Sequence, residues 1–145
     1  MFTLRTQIDI EVPPKVVWQI LTDTENVGAW NPFIHRFEGE LAVGSQITVD
    51  LGAPGKSPMT LKPIVLKVDK DRELRWRGKL LVRGVFDGEH VFELQQTETG
   101  TRFNHYENFS GLLVTFLKGM LERDIRPGFE AMNRALKEKA EQSAG

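Results

Sequence analysis

The sequence predicts an α+β domain in which a curved antiparallel sheet of about seven strands wraps onto one long C-terminal helix. Three observations predict it. Period-two alternation of apolar and polar residues recurs from residue 2 to residue 109. Two short helical patterns directly follow the first strand. From residue 110 the apolar spacing changes to three and four and stays so almost to the end. A sheet with one apolar face needs a covering layer, and the long amphipathic helix is the element available. At 145 residues the chain is read as one domain, 1–145.

The elements follow in order. Phe2, Leu4, Ile8, Ile10 and Val12 fall on even positions and Thr3, Arg5, Gln7, Asp9 and Glu11 on odd ones, which is a strand with one buried face broken only by Thr6. Pro13-Pro14 ends it and suits the first turn of a helix. Val17, Ile20, Leu21 and Thr24 form the stripe of that helix. Thr22 and Glu25 have capping-box spacing, which predicts a second short helix ending near Gly28. Residues 35–40 form a weakly patterned strand, and Ile47, Val49 and Leu51 a clear one. Residues 52–58, rich in Gly and Pro, form a loop. Met59 and Leu61 are apolar on odd positions, whereas Ile64, Leu66 and Val68 are apolar on even ones. The phase therefore changes at Pro63, which predicts a bulge or bend. Asp69-Lys70-Asp71 turns the chain into a strand carrying Leu74, Trp76, Gly78 and Leu80 on one face. Phe86, Gly88, His90, Phe92 and Leu94 follow, then the turn at residues 97–100, then Phe103, His105, Glu107 and Phe109.

Helical spacing from Ser110 joins Leu113, Leu117, Leu121, Ile125, Phe129, Met132 and Leu136, with a second row of Leu112, Phe116 and Met120 in the first half. Leu113, Leu117 and Leu121 are expected to be buried, and Lys118 and Glu122 wetter. Pro127-Gly128 should bend or break the helix. The Lys-, Glu- and Ala-rich tail beyond Leu136 should fray.

Composition narrows the function. There is no cysteine, which excludes thiol catalysis, disulfide exchange and Cys-ligated metal centres. Lys plus Arg number 19 against 20 Asp plus Glu, so the net charge is −1 and no general attraction for nucleic acid or an acidic membrane exists. No apolar run is long enough to span a bilayer, and residues 1–7 lack the features of a signal peptide. The expectation is a cytoplasmic protein, monomer or homodimer, without integral membrane association. Gly52-Ala53-Pro54-Gly55-Lys56-Ser57 has the wrong spacing for a phosphate-binding loop. Ser110-Gly111 lacks a nucleophile-elbow frame. No cofactor is called for.

Four segments carry a resemblance that covers almost the whole chain: Val12-Pro13-Pro14, Trp30-Asn31-Pro32-Phe33, Phe86-Asp87-Gly88-Glu89-His90, and Glu107-Asn108-Phe109-Ser110-Gly111-Leu112-Leu113. In their order and spacing the chain resembles the START and pollen-allergen-like (SRPBCC) superfamily, in its polyketide cyclase/dehydrase-like branch. The resemblance implies the helix-grip fold and a deep cavity between sheet and long helix that holds a small, mostly apolar molecule. It does not imply one reaction, because fold does not fix function.

Polar residues on faces that should be apolar mark the candidate site. With a four-residue turn, positions pairing across the last two strands sum to 197, which sets His90 opposite Glu107 and Phe92 opposite His105. A slip of two would pair His90 with His105 instead. Direct partners lie with Cβ atoms about 4.5–5.5 Å apart, close enough for an imidazole–carboxylate contact. One reading is a satisfied buried pair that braces the sheet. Another is the polar floor of a ligand cavity, with His90, His105 and Glu107 as candidates for proton transfer. A three-histidine zinc site using His35 is disfavoured, because His35 sits on a distant strand; no metal is expected. Trp30, which the resemblance places on a cavity wall, Phe33, Trp76, Phe92, Phe116 and Met120 complete the candidate lining. Phe33 also fits a plug at one end of the core. Trp76 faces inward beside His90, with Gly78 opposite Gly88, if residues 81–85 form a five-residue loop. Arg75, Arg77 and Arg102 form a solvated outer face.

The first functional reading is binding of a small hydrophobic molecule, as a carrier or sensor. The alternative is a cyclase, dehydratase or isomerase using the cavity His and Glu. A third is an interaction protein that presents its long helix and has a filled interior. A cavity of a few hundred Å³ would favour the first two.

Overall fold

The computed structural model describes residues 1–79 and 86–144. The expectations for Leu80 and the 81–85 loop lie outside the described residues.

Strand β1 (Phe2–Ile10) buries Leu4, Thr6 and Ile10 on its even face, as its alternation predicts. Pro13 and Pro14 then start α1 (Pro14–Leu21), which buries Val17, Trp18 and Leu21. The Thr22–Glu25 capping box does not form. The Thr22 hydroxyl donates back to the Trp18 carbonyl at 2.7 Å and closes α1 instead. The second helix, α2 (Val27–Trp30), starts after Asn26 and contains Gly28 rather than ending there.

Eight strands are present among the described residues, and Pro63 accounts for the excess over seven. It separates β4 (Met59–Leu61) from β5 (Ile64–Asp69), so the expected bend becomes a change of sheet. β2 (Ile34–Glu38), β3 (Thr48–Leu51) and β4 form a three-stranded antiparallel sheet. The five-stranded antiparallel sheet has the order β1, β8 (Thr101–Ser110), β7 (Asp87–Gln96), β6 (Glu73–Lys79), β5. A bridge between Gln46 and Ile64 and the bond from the Ile47 amide to the Pro63 carbonyl at 2.9 Å tie the two sheets together. The apolar phase of β5 is not the even one. Its register shifts between Val65 and Lys67, so Val65 is buried and Ile64 exposed.

The C-terminal helical region starts later than expected, because β8 runs on to Ser110. It comprises α3 (Val114–Met120), a π turn (Leu121–Ile125) and α4 (Arg126–Ala144). Pro127 offers no N–H to an acceptor in the turn before it. The ladder widens there, with the Arg126 amide bonding the Leu121 carbonyl five residues back. The proline is thus absorbed by a wider turn just ahead of it. The tail does not fray at Leu136: Ala140 is fully buried, and the Glu141 carboxylate accepts from the Glu11 amide at 2.9 Å.

The core lies between the inner face of the large sheet and α4, with Leu4, Ile10, Phe92 and Phe103 on one side and Phe129, Met132 and Leu136 on the other. Gly128 permits this approach, since a Cβ there would stand 2.6 Å from Phe33 Cδ1 and 3.1 Å from Ala53. On α3, Leu121 just beyond the helix is buried, but Leu113 and Leu117 are only half-buried.

Candidate functional site

The register of β7 on β8 is the one that a four-residue turn gives, His90 opposite Glu107 and Phe92 opposite His105. Trp76 pairs with His90 and Gly78 with Gly88 across β6 and β7. His90 and His105 are diagonal neighbours, and diagonal positions are within reach of long side chains. Their rings turn towards each other, with Nε2 to Nε2 at 2.8 Å. Both are buried.

The contact continues in both directions. His105 Nδ1 meets Asn133 Oδ1 at 2.9 Å, and the Asn133 amide donates to Thr6 Oγ1 at 2.9 Å. Thr6 Oγ1 donates to the His105 carbonyl at 2.7 Å. At the other end, His90 Nδ1 lies 3.3 Å from Glu107 Oε1 but makes no hydrogen bond that satisfies it. The result is a line of polar groups, Thr6–Asn133–His105–His90–Glu107, running from β1 and α4 through the core to the edge of a small pocket. Glu107 is its wet end, with 17% of the side chain exposed against 1% for His90.

Apolar rings enclose this line. Phe129 stacks on His105 with centroids 4.1 Å apart, and Trp76 and Phe92 lie 5.4 and 4.7 Å from His90. Burial and the adjoining His90 push the His105 imidazole well below its ordinary range, against the opposing pull of Asn133 and the Phe129 carbonyl. His105 is therefore neutral. The Glu107 carboxylate has room only because residue 88 is glycine: a Cβ there would come within 2.1 Å of Glu107 Oε2.

The pocket at Glu107 is bounded by Leu51, Leu61, Pro63, Trp76, Gly78, Gly88, His90 and Glu107. Its volume is about 20 Å³, which is room for about one water molecule. Trp76, His90 and Glu107 thus reach the pocket, while Phe33, Phe92 and His105 pack behind His90 as core. Two expected positions are corrected. Phe116 is 83% exposed, because α3 turns Val114 inward and Phe116, like Leu112 just before the helix, outward. Trp30 lines a separate groove of about 510 Å³ between α1, α2 and the end of α4. Met120 is half-buried against the core and does not border the pocket. The deep cavity expected between them is filled by Phe92, Phe129 and Phe33 among the described residues. The space beside His90 thus falls short of the few hundred Å³ that would favour binding or catalysis over an interaction role.

His35 is exposed on β2, where its Nε2 lies 2.9 Å from the Gly52 carbonyl, in a different sheet from the other histidines. Among the described residues no three His, Asp or Glu side chains gather as a metal site. No described helix is long and apolar enough to cross a membrane. Arg75 is not simply solvated, since it pairs with Glu73 at 2.9 Å and with Glu89.

Sequence reasoning missed Asn133, Thr6 and the Leu51, Leu61 and Pro63 wall. Asn133 carried a usable signal, a carboxamide four residues after Phe129 on the buried stripe of a helix. Thr6 carried one too, as the single polar break in an apolar strand face. The wall carried none, because it depends on how the two sheets meet.

The family model described as polyketide cyclase / dehydrase and lipid transport matches residues 1–141. No functionally curated protein matches the sequence. Among solved structures, a protein from Mesorhizobium loti aligns with TM-score 0.71 at 19% identity, over 94% of this chain and 98% of its own. The di-domain ARO/CYC StfQ from the steffimycin biosynthetic pathway aligns with TM-score 0.78 at 13% identity. BexL, the di-domain ARO/CYC from the BE-7585A biosynthetic pathway, aligns with TM-score 0.76 at 14% identity. These alignments cover 99% and 97% of this chain, which spans about half of either di-domain protein, 52% and 50%. At such identities the likeness is one of fold.

Proposed function

We propose a ligand-binding function on a premise that the whole-chain match establishes: the chain belongs to the polyketide cyclase / dehydrase and lipid transport family. The single 1–145 domain binds a small, mostly apolar molecule whose polar group meets Glu107 and His90. The observation that carries this reading is His90 Nδ1, a buried nitrogen without a hydrogen-bond partner among the described residues, at the wall of an otherwise largely apolar pocket. Buried polar atoms of this kind are normally satisfied, and ligand sites combine apolar walls with a few such groups.

A ligand larger than one water must displace the half-buried rim residues Leu51 and Leu61. Binding is then linked to opening, and the apparent dissociation constant is the intrinsic one divided by the open fraction. A second reading, proton-transfer chemistry of the cyclase, dehydratase or isomerase type, is favoured by one observation. Glu107 and His90 set two groups capable of exchanging a proton 3.3 Å apart at the same wall.

Titration with 2-naphthol, a small aromatic with one hydroxyl, tests the binding reading through the Trp76 indole resonance in NMR spectra. Saturable shifts are expected for the native protein and their loss for Gly78→Val. A Cβ at residue 78 meets nothing closer than Pro63 Cβ at 3.6 Å, so the variant fills the pocket without a backbone clash. Absence of binding to the native protein, or equal binding to both, would refute it.

A further inference from the structure

The direction of every hydrogen bond along the buried line can be assigned from the donors available. Thr6 has one hydroxyl hydrogen, and it is spent on the His105 carbonyl. Its oxygen must therefore accept from Asn133 Nδ2, which turns Asn133 Oδ1 towards His105. A carboxamide oxygen only accepts, so His105 carries its proton on Nδ1. Burial keeps His105 neutral, which leaves its Nε2 as a lone pair. Across the 2.8 Å contact His90 Nε2 must then be the donor. A neutral His90 would turn a bare Nδ1 lone pair towards Glu107 Oε1 at 3.3 Å. If Glu107 were also ionised, two lone pairs would face each other in a buried place.

We propose that Asn133, acting through His105, fixes the tautomer of His90, so that His90 Nδ1 and Glu107 hold one proton between them at the pocket wall. The pair is then at once a donor and an acceptor. It suits an apolar ligand bearing a single carbonyl or hydroxyl oxygen, to which it can give a proton or from which it can take one. No other ionisable group faces His90 among its described ring neighbours. Trp76 on β6, Phe92 on β7, Phe33 before β2 and Phe129 on α4 all present apolar rings, and only His105 and Glu107 of β8 are titratable. Asn133 and His105 are positioning residues here, since neither borders the pocket. The tautomers stand on the hydrogen bonds from Thr6 to His90 together with the burial of His105. The shared proton stands on the 3.3 Å contact of His90 Nδ1 with Glu107, and its use by a ligand on the binding reading above.

NMR of protein carrying 15N-labelled histidine, at a pH above the ordinary histidine range, tests this without any ligand. His105 is expected to show a protonated Nδ1 and a bare Nε2, and His90 a protonated Nε2. In Asn133→Leu the side-chain anchor is gone and only the Phe129 carbonyl still pulls on His105; with Asn133 as the deciding acceptor, the order should reverse. His105 Nε2–H then donates to His90 Nε2, and His90 Nδ1–H donates to the Glu107 carboxylate. Asn133→Asp, which still accepts from His105 Nδ1, should retain the native pattern. A native protein with the proton on His105 Nε2 overturns the proposal, as does an Asn133→Leu spectrum unchanged from the native one. If the leucine variant does not fold, the native and aspartate spectra still decide. Native tautomers as assigned, together with no 2-naphthol binding, support the proton's position and retire the ligand reading instead.

Discussion

His105 is the residue at which protonation and folding are most tightly linked. The unfolded chain takes up a proton there near the ordinary value of 6.5, and the folded chain does not until well below it. Its contribution is therefore full above that pH and is lost as the pH falls. The expected slope is about 1.4 kcal/mol per pH unit until the folded site itself protonates. Urea midpoints taken between about pH 7.5 and about pH 5 should show this decline, and His105→Phe should flatten it. The paired carboxylates Asp9, Asp50, Glu122 and Glu141 act in a lower window, since all four are held below the ordinary carboxylate range by a neighbouring Arg or Lys. An equally steep decline in the variant would show that burial of His105 is not its cause. At this scale the sequence was legible where alternation and turn length set the register, which is why His90 and Glu107 could be paired. At Asn133 the pattern signalled a buried carboxamide but not its partner, which is 28 residues away and depends on how α4 lies on the sheet.

The elements were readable wherever one face is buried and the other wet. β1 is such a strand, and its alternation survives; β7 and β8 bury the expected inner face, but Val91, Asn104 and Tyr106 on the outer face are buried too. Prediction failed where an element's neighbour decided the outcome. Leu112 and Phe116 of the second apolar row face out, while Val114 is buried and Met120 half-buried against the core. The α4 tail persists because Ala140 packs and Glu141 holds the Glu11 amide, neither visible as a local helix signal. Gly128 puts the competition between local and tertiary terms to a direct test. In an isolated helix Ala would be favoured over Gly by about 1 kcal/mol. Here the added methyl would meet Phe33 at 2.6 Å and Ala53 at 3.1 Å, an overpacking that costs about 1–3 kcal/mol. Gly128→Ala should thus lower the thermal midpoint. A rise would mean that α4 is not wedged against Phe33.

Over the whole molecule, two sheets and α4 enclose a core of aromatic rings, with one polar line threaded through it and ending at Glu107. The resemblance in the sequence pointed to this architecture and to an apolar cavity. The size of that cavity was beyond reach, because volume depends on how Phe33, Phe92 and Phe129 share the space between layers. What remains beside His90 is a pocket of about 20 Å³. A ligand bound as proposed would widen it at the junction of the sheets, where Leu51, Leu61 and Pro63 line the pocket. The most direct measurement is a crystal structure of the protein with 2-naphthol. The account predicts the ring against Trp76, its hydroxyl within hydrogen-bond distance of Glu107 or His90, and Leu61 moved aside. A naphthol ring seated instead in the groove between α1, α2 and α4 beside Trp30, with the Glu107 pocket unchanged, would contradict it.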